Sequence, residues 1–418
     1  MTERLLHFIW QFQYYNKSEL SITTGEDVEI IHAGFYNRDQ GPDFSNGQVK
    51  IGNTIWAGTI ELHIRTSDWL KHQHQHDKNY GNVVLHVVWE HDREINNIPV
   101  LELNGRVAGV LLERFENLMR INCFIPCENM ILNVPGLVWN SWKDRLLAER
   151  LTRKAEAVNR LLQQNNYHWE ETCWWLLARN FGLPVNANVF EYIARSIDLS
   201  ILARHRSQLI QVEALLLGQA GLLAHAFEEE YPVLLQREYV FLKKKYGLRP
   251  VHEPVHFLRM RPVNFPTVRL AQLAKLFCTN DQLFARIRDV ETIQELRAYF
   301  TVTANDYWHY HYRFNEPAGF KEKKTGPSMV DSVIINTICP LLFAYGEFHN
   351  LQECKDKSLH WLGDLNAEQN NIVRGFKDIG VKALNSFDTQ ALIELKTQYC
   401  DQKNCLSCGV GNWILKQV

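Results

Sequence analysis

The stretch GPDFSNGQVKIGNTIWAGTIELHI, residues 41–64, decides the reading of the fold. Gln48–Ile51 and Ile55–Ile64 read as strands, and Gly52-Asn53 between them suits a hairpin turn. The strand period of two puts Glu61 and His63 on one face. Asp43 stands near the start of this strand pair and Glu61 near its end. Two carboxylates on neighbouring strands are what a hard divalent cation needs. Oxygen ligands suit Mg²⁺ or Mn²⁺, and a bound ion can activate water for attack on a phosphodiester. The same letters allow a plainer reading. Gly-Pro-Asp is a common turn, and Glu61 and His63 can line a solvent-facing strand.

Working outward, residues 3–15 read as a helix with Leu5, Leu6, Ile9 and Phe12 on one side. Strand-like runs stand at Val28–His32, Val83–Trp89 and Pro99–Leu103, with a polar loop at 66–82. From Ser141 the pattern turns helical. Ser141 and Asp144 form a candidate capping box for a helix towards Leu162. Further helices are expected at 168–180, 187–197, 208–223, 267–277, 328–345 and 387–399. Asn133, Pro135 and Gly136 suit a short linker. The expected class is α+β: a sheet domain over 1–135, then a helical domain over 136–418 carrying a C-terminal cysteine cluster.

The composition is that of an ordinary globular protein: 418 residues, 46% hydrophobic, 22% charged, formal charge −2. Such a balance does not mark the whole chain as a polyanion binder. No segment approaches the roughly 20 uninterrupted apolar residues of a membrane span, so no membrane partner is expected. Glu3, Arg4 and Gln11 interrupt the apolar N-terminus and no small-residue cleavage site follows, which reads as a cytoplasmic start. Nine cysteines, an odd number, do not form a disulfide framework. Charge is uneven. Residues 1–135 hold 11 Lys and Arg against 17 Asp and Glu, whereas residues 236–269 hold 8 against 2. The second segment interleaves Tyr239, Phe241, Tyr246, Phe257 and Phe265, a composition that can grip phosphates and stack on bases.

The order helix, strand, Pro-Asp, strand, Glu-x-basic, loop or helix, strand resembles the PD-(D/E)XK nuclease superfamily. The resemblance covers roughly residues 1–105. It implies a mixed sheet of restriction-endonuclease-like topology and metal-dependent hydrolysis of DNA or RNA. Carried over, Asp43 and Glu61 hold the ion. His63 stands where that family has Lys, so the water-activating role falls to an imidazole that can orient water or bind the metal itself. Glu19, near the expected end of the first helix, matches a carboxylate that some members carry there. The wider chain resembles an uncharacterised bacterial family known only as a domain of unknown function. GPDF, IELHIRTSDW, YGNVVLHVVWEHD, LLLGQAGLL, FLRMRPVNFPTVRLAQLA and YCDQKNCLSCGVGN carry that resemblance, and it brings no activity.

The polar loop adds donors. Asp68 and Trp69 precede His72, His74, His76 and Asp77, and His86 lies on the next strand. If extended, alternate spacing would turn His72, His74 and His76 to one side. The expected metal set is therefore Asp43, Glu61, His74, His76, Asp77 and His86. Mixed imidazole and carboxylate ligands suit Zn²⁺, Mn²⁺ or Fe²⁺ more than Mg²⁺. A solvated histidine-rich loop is the alternative.

Cys400, Cys405 and Cys408, spaced C-x₄-C-x₂-C, suit zinc or an iron–sulfur cluster, with a fourth ligand such as Cys339 or Cys354. Cys123 and Cys127 read as a looser, buried pair. Arg259, Arg261, Asn264 and Arg269 surround two prolines. Arg269 falls in a helix's first turn, where a cation opposes the dipole, which points to a nucleic-acid backbone beside it. The plainer reading pairs these arginines with acids at 227–230. Asp306–Tyr312 reads as an aromatic packing seam. The expected function is a metal-dependent nuclease with Asp43, Glu61 and His63 as catalytic residues. Two alternatives stand: an inactive nucleic-acid-binding or scaffolding protein, and a His/carboxylate metalloenzyme acting on a small molecule.

Overall fold

Thr2 caps the first helix, α1 (Glu3–Gln11), whose side chains Leu5, Leu6, Phe8, Ile9 and Trp10 are buried. The computed structural model describes all residues except 38, 39, 96, 97, 121, 122, 259 and 418. The helix is shorter than its apolar pattern suggests. Gln13 takes a left-handed backbone, φ +56°, which stops propagation.

Strands β1 (Val28–His32), β2 (Phe35–Tyr36), β3 (Phe44–Ile51) and β4 (Thr54–Arg65) follow. β1 and β2 both pair antiparallel with β3, and β3 pairs antiparallel with β4. The turn works as its sequence suggests, since Gly52 adopts φ +56°, a region costly for residues with a Cβ. The chain then crosses over through α2 (Asp68–Lys71) and two 3₁₀ turns, His74–His76 and Lys78–Tyr80. β5 (Val83–Glu90) returns parallel to β4, and β6 (Val100–Glu102) runs parallel to β5. The sheet is therefore mixed, in the order β1-β3-β4-β5-β6. Helix α1 packs on β4, and α3 (Gly109–Arg120) follows the last strand.

Two compact units divide the chain. One comprises Met1–Asp144, Asp378–Val381 and Ile393–Val418; the other comprises Arg145–Lys377 and Lys382–Leu392. The boundary differs from the linker read at 133–136 because α4 (Gly136–Gln164) runs through it without a break. Ser141 lies inside that helix rather than at its cap. The C-terminal cysteine segment, expected with the helices, belongs to the unit that holds the sheet.

The second unit is helical. Its core includes Trp174, Phe181, Phe190, Leu215, Phe277, Trp308 and Trp361. The stretch Pro327–His349, with a π-helical segment at Ile334–Ile338, is long and apolar enough to cross a membrane, and 78% of its most apolar window is buried inside the protein. Tyr307 stacks on His311 at 4.0 Å and Trp308 is buried, so the expected aromatic seam is packing.

Candidate metal centre

β4 is covered on both faces where its motif lies. Ile60 and Leu62 alternate with Glu61 and His63, and all four are buried. Glu61 is 5% exposed and His63 2%, which excludes the solvent-facing reading. Burial of two ionisable groups side by side is costly unless something compensates it.

Three imidazoles converge here. His63 Nε2 lies 3.1 Å from His72 Nδ1. Glu61 Oε1 stands 3.5 Å from His63 Nε2 and 3.5 Å from His74 Nε2. The donor atoms of His63, His72 and His74 all lie within 4.8 Å of one another. The crossover makes this possible. α2 ends at Lys71, Gln73 takes a left-handed backbone at φ +61°, and the next turn is 3₁₀. That bend aims His72 and His74 at the same place. It also corrects the extended reading of the loop. His76 is exposed and outside the cluster, and Asp77 caps the following turn by accepting from the Asn79 N–H at 2.9 Å.

The surrounding side chains fix the rings. His63 Nδ1 lies 2.9 Å from Nε2 of His86, which is fully buried and faces Glu61 in the β4–β5 register. Tyr80 stacks on His74 at 3.8 Å, and the Trp69 ring lies 5.3 Å from both His74 and His86. His86 thus stands behind His63 as an orienting partner. Asp68 is used by the backbone, accepting from the Arg65 N–H at 3.2 Å.

Asp43 and Glu61 are cross-braced. The Asp43 N–H donates to Glu61 Oε2 at 3.0 Å, and the Leu62 N–H donates to Asp43 Oδ2 at 3.0 Å. One Glu61 oxygen is therefore held by the backbone while the other faces the imidazoles. His7 of α1 brings Nε2 to 3.2 Å from Asp43 Oδ2, without hydrogen-bond alignment.

Burial and then the neighbouring Asp43 push the Glu61 carboxyl up to about 8. Burial, then His74 and His72, push His63 down to about 4. His74 is lowered by burial and by His72, and His86 falls well below its ordinary value through burial. At neutral pH these imidazoles are neutral donors with lone pairs to offer. A cation among them would remove the reason for Glu61 to hold its proton.

A model of a family of proteins of unknown function, DUF2851, matches residues 3–371. The chain belongs to that family. No curated protein and no solved structure matches it.

In this DUF2851 chain the other candidate residues lie as follows. Glu19 sits beyond α1 with φ +49°, and its carbonyl accepts from Arg106 at 3.0 Å, so it does not extend the helix towards the cluster. The carboxylate that α1 brings within electrostatic reach of Glu61 is Glu3. Arg269 is buried, not an exposed phosphate grip. Its guanidinium donates to Gln272 Oε1 at 2.9 Å and Asn264 Oδ1 at 2.6 Å, tying the 3₁₀ turn Pro262–Asn264 to α-helix Pro266–Thr279. Burial lowers it to about 10. Arg261 is exposed, and Arg259 lies outside the described residues. Tyr239 is buried and donates to Gln219, and Phe257 and Phe265 both lie under Arg313. Phe241 alone of the five aromatics is exposed. Lys243, Lys244 and Lys245 occupy the last turn of helix Glu230–Tyr246, where cations complement the dipole. Cys339 and Cys354, expected near the C-terminal cysteines, lie in the helical unit instead.

Proposed function

We propose that this DUF2851 chain is a metal-dependent hydrolase whose ion is held by His63, His72, His74 and Glu61, and that it cleaves phosphodiester bonds. One observation carries the reading: donor atoms of four side chains stand at 3.1 Å to 3.5 Å from a neighbouring donor. Ligands at about 2.0–2.1 Å from one ion stand about 2.9–3.3 Å apart, and a shell of more than four would leave a position for water beside these side chains. The donor set favours Zn²⁺, Mn²⁺ or Fe²⁺ over Mg²⁺. When bound, such an ion supplies a hydroxide-like water at neutral pH and polarises the scissile oxygen. The protein holds the site ready. His86 orients His63, the Asp43 N–H fixes one oxygen of Glu61, and Trp69 and Tyr80 keep the rings from turning.

The phosphodiester preference rests on element order. A helix, an antiparallel meander and a crossover to a parallel strand, with Asp43 at the head of one strand and Glu61 on the next, support a nuclease-like reading. The test is hydrolysis of bis(p-nitrophenyl) phosphate, DNA and RNA by the full chain with added Zn²⁺, Mn²⁺ or Fe²⁺. Turnover should need the ion and collapse in Glu61→Gln and His74→Ala. Failure to bind any of these ions, or equal turnover by the variants, would overturn the reading.

A second reading is favoured by the burial of Arg269 and the acidic balance of the sheet region. A small-molecule metallohydrolase needs no basic track. Turnover of the small diester, without salt-dependent binding to DNA or RNA, would select it.

A further inference from the structure

The C-terminal segment builds a second donor set. Cys400 closes the π-helical turn Leu395–Cys400, and Lys403 then takes a left-handed backbone at φ +52°. The chain bends through Cys405 to Cys408, whose N–H donates back to the Cys405 carbonyl at 3.3 Å. Cys408 caps helix Gly409–Lys416. Gly411 is required there, since a Cβ would meet the Cys405 carbonyl oxygen at 2.3 Å. Burial pushes the Cys408 thiol up to about 11, and the N–H groups of Gly411 and Val410 and the Trp142 indole offset part of that rise. Donors around a sulfur in a Cys-x-x-Cys turn suit it to ligation once a cation replaces its proton.

Cys127 comes to the same place from far away in sequence. Lys403 Nζ donates to the Met119 carbonyl at 2.5 Å, the Lys396 ammonium lies 5.1 Å from the Phe124 ring centroid, and α3 packs on helix Gly409–Lys416. These contacts bring the loop after α3 onto the C-terminal turn. Cys127, Cys400, Cys405 and Cys408 are all buried. Burial pushes the Cys127 thiol up to about 12, with Cys408 and Cys405 adding to it. The Cys400 thiol is pushed up by burial and then by Cys408, Cys127 and Cys405. The four are thus electrostatic neighbours, and as thiolates they would repel one another unless a cation joined them.

We propose that Cys127, Cys400, Cys405 and Cys408 together hold a thiophilic metal centre, with Cys127 as the fourth ligand. Cys123 is exposed and outside the set. Cys339 and Cys354 are buried in the other unit, where Ser358 donates to the Cys339 carbonyl at 2.8 Å. A single zinc draws four sulfurs to about 3.8 Å from one another, given Zn–S bonds of about 2.3 Å. Among the described residues only the histidine cluster gathers three donors within 4.8 Å, so the thiols are less tightly gathered than one zinc would hold them, which favours an iron–sulfur cluster.

The test is metal and acid-labile sulfide analysis of the full chain purified without oxygen. The wild type should carry iron with matching sulfide and a brown charge-transfer absorption. Cys127→Ser should lose that metal, whereas Cys123→Ser, Cys354→Ser and His74→Ala should keep it. Zinc in place of iron, lost from Cys127→Ser alone, would keep the four-cysteine assignment and make the centre mononuclear. Neither metal in the wild type, or full loading of Cys127→Ser, would overturn the proposal. Alkylation guards against a variant that fails to fold. In the loaded native protein the four thiols should resist reagent until a chelator is added. Their immediate reaction would also overturn it.

Discussion

His63, His72 and His74 come from one strand and the turn that follows it, whereas Cys127 and Cys400 are separated by more than half the chain. Both donor sets lie in the unit that carries the sheet, and they differ in how a metal would enter. The histidine set is ready at neutral pH. His63 and His74 are pushed below their ordinary value, burial first, so an ion there competes mainly with the single proton on Glu61. The cysteine set is not ready, because Cys405 is pushed up to about 12 and Cys408 to about 11, burial being the first cause for each. An ion there must displace several protons. If both proposed centres are filled, donor type would make the histidine centre the more exchangeable and the cysteine centre the more slowly loaded.

The strongest way to break this comparison is to remove the turn's ligands. His72→Ala with His74→Ala should abolish one equivalent of divalent-ion binding by calorimetry and lower diester hydrolysis by at least about a hundredfold, beyond the usual range for outer-shell changes. The C-terminal metal should be unchanged in the same sample. Loss of both metals together would show that the two sites are not independent.

His86→Ala tests the layer behind the ligands. His63 uses Nδ1 on His86, so deleting that ring frees the imidazole to turn. Metal affinity should fall by about 10–100-fold, with kcat falling less than affinity. The fully buried position also leaves a cavity, so His86→Gln, which keeps a polar partner, should recover part of the affinity. An unchanged dissociation constant in both variants would remove His86 from the site.

Much of the sheet was legible because its signals are local. Gly52-Asn53 fixes the hairpin, and alternation fixes which residues of β4 lie beside Glu61. The helical second half followed from apolar periodicity. The site was only partly legible. Glu61, Asp43, His63, His74 and His86 stood out by type and spacing, but His72 gains its place through a left-handed Gln73 that no turn residue announces. His7 and Glu3 reach the site only because α1 packs on β4, and Cys127 reaches its partners across a long-range contact. Arg269 was misread because a dipole argument assumes a solvent-exposed first turn, whereas Asn264 and Gln272 fold over the guanidinium. Single-sequence patterns report neighbours within a few residues, and these sites depend on tertiary ones.

The smallest effect is the most diagnostic of how Glu61 is used. Its carboxyl is raised from 4.5 to about 8, by burial first and Asp43 second. The folded chain therefore binds this proton more tightly than the unfolded chain does. The stability it contributes is complete below pH 4.5 and declines as pH rises to about 8. His63, lowered from 6.5 to about 4, acts in the opposite sense: its contribution is complete above pH 6.5 and is lost as pH falls through 4. In chelator, Glu61→Gln should remove only the alkaline decline. Its melting temperature should match the wild type near pH 4.5 and exceed it by about 3 °C or more at pH 8, on the scale of a few degrees per kcal/mol for a domain of this size. Added Zn²⁺ should reverse the order at pH 8, because the ionised carboxylate then gains a cation that the amide cannot match. Parallel pH curves for the two proteins in chelator, or a zinc-induced shift of equal size in both, would show that Glu61 is not a ligand and would leave the three histidines to hold the ion without it.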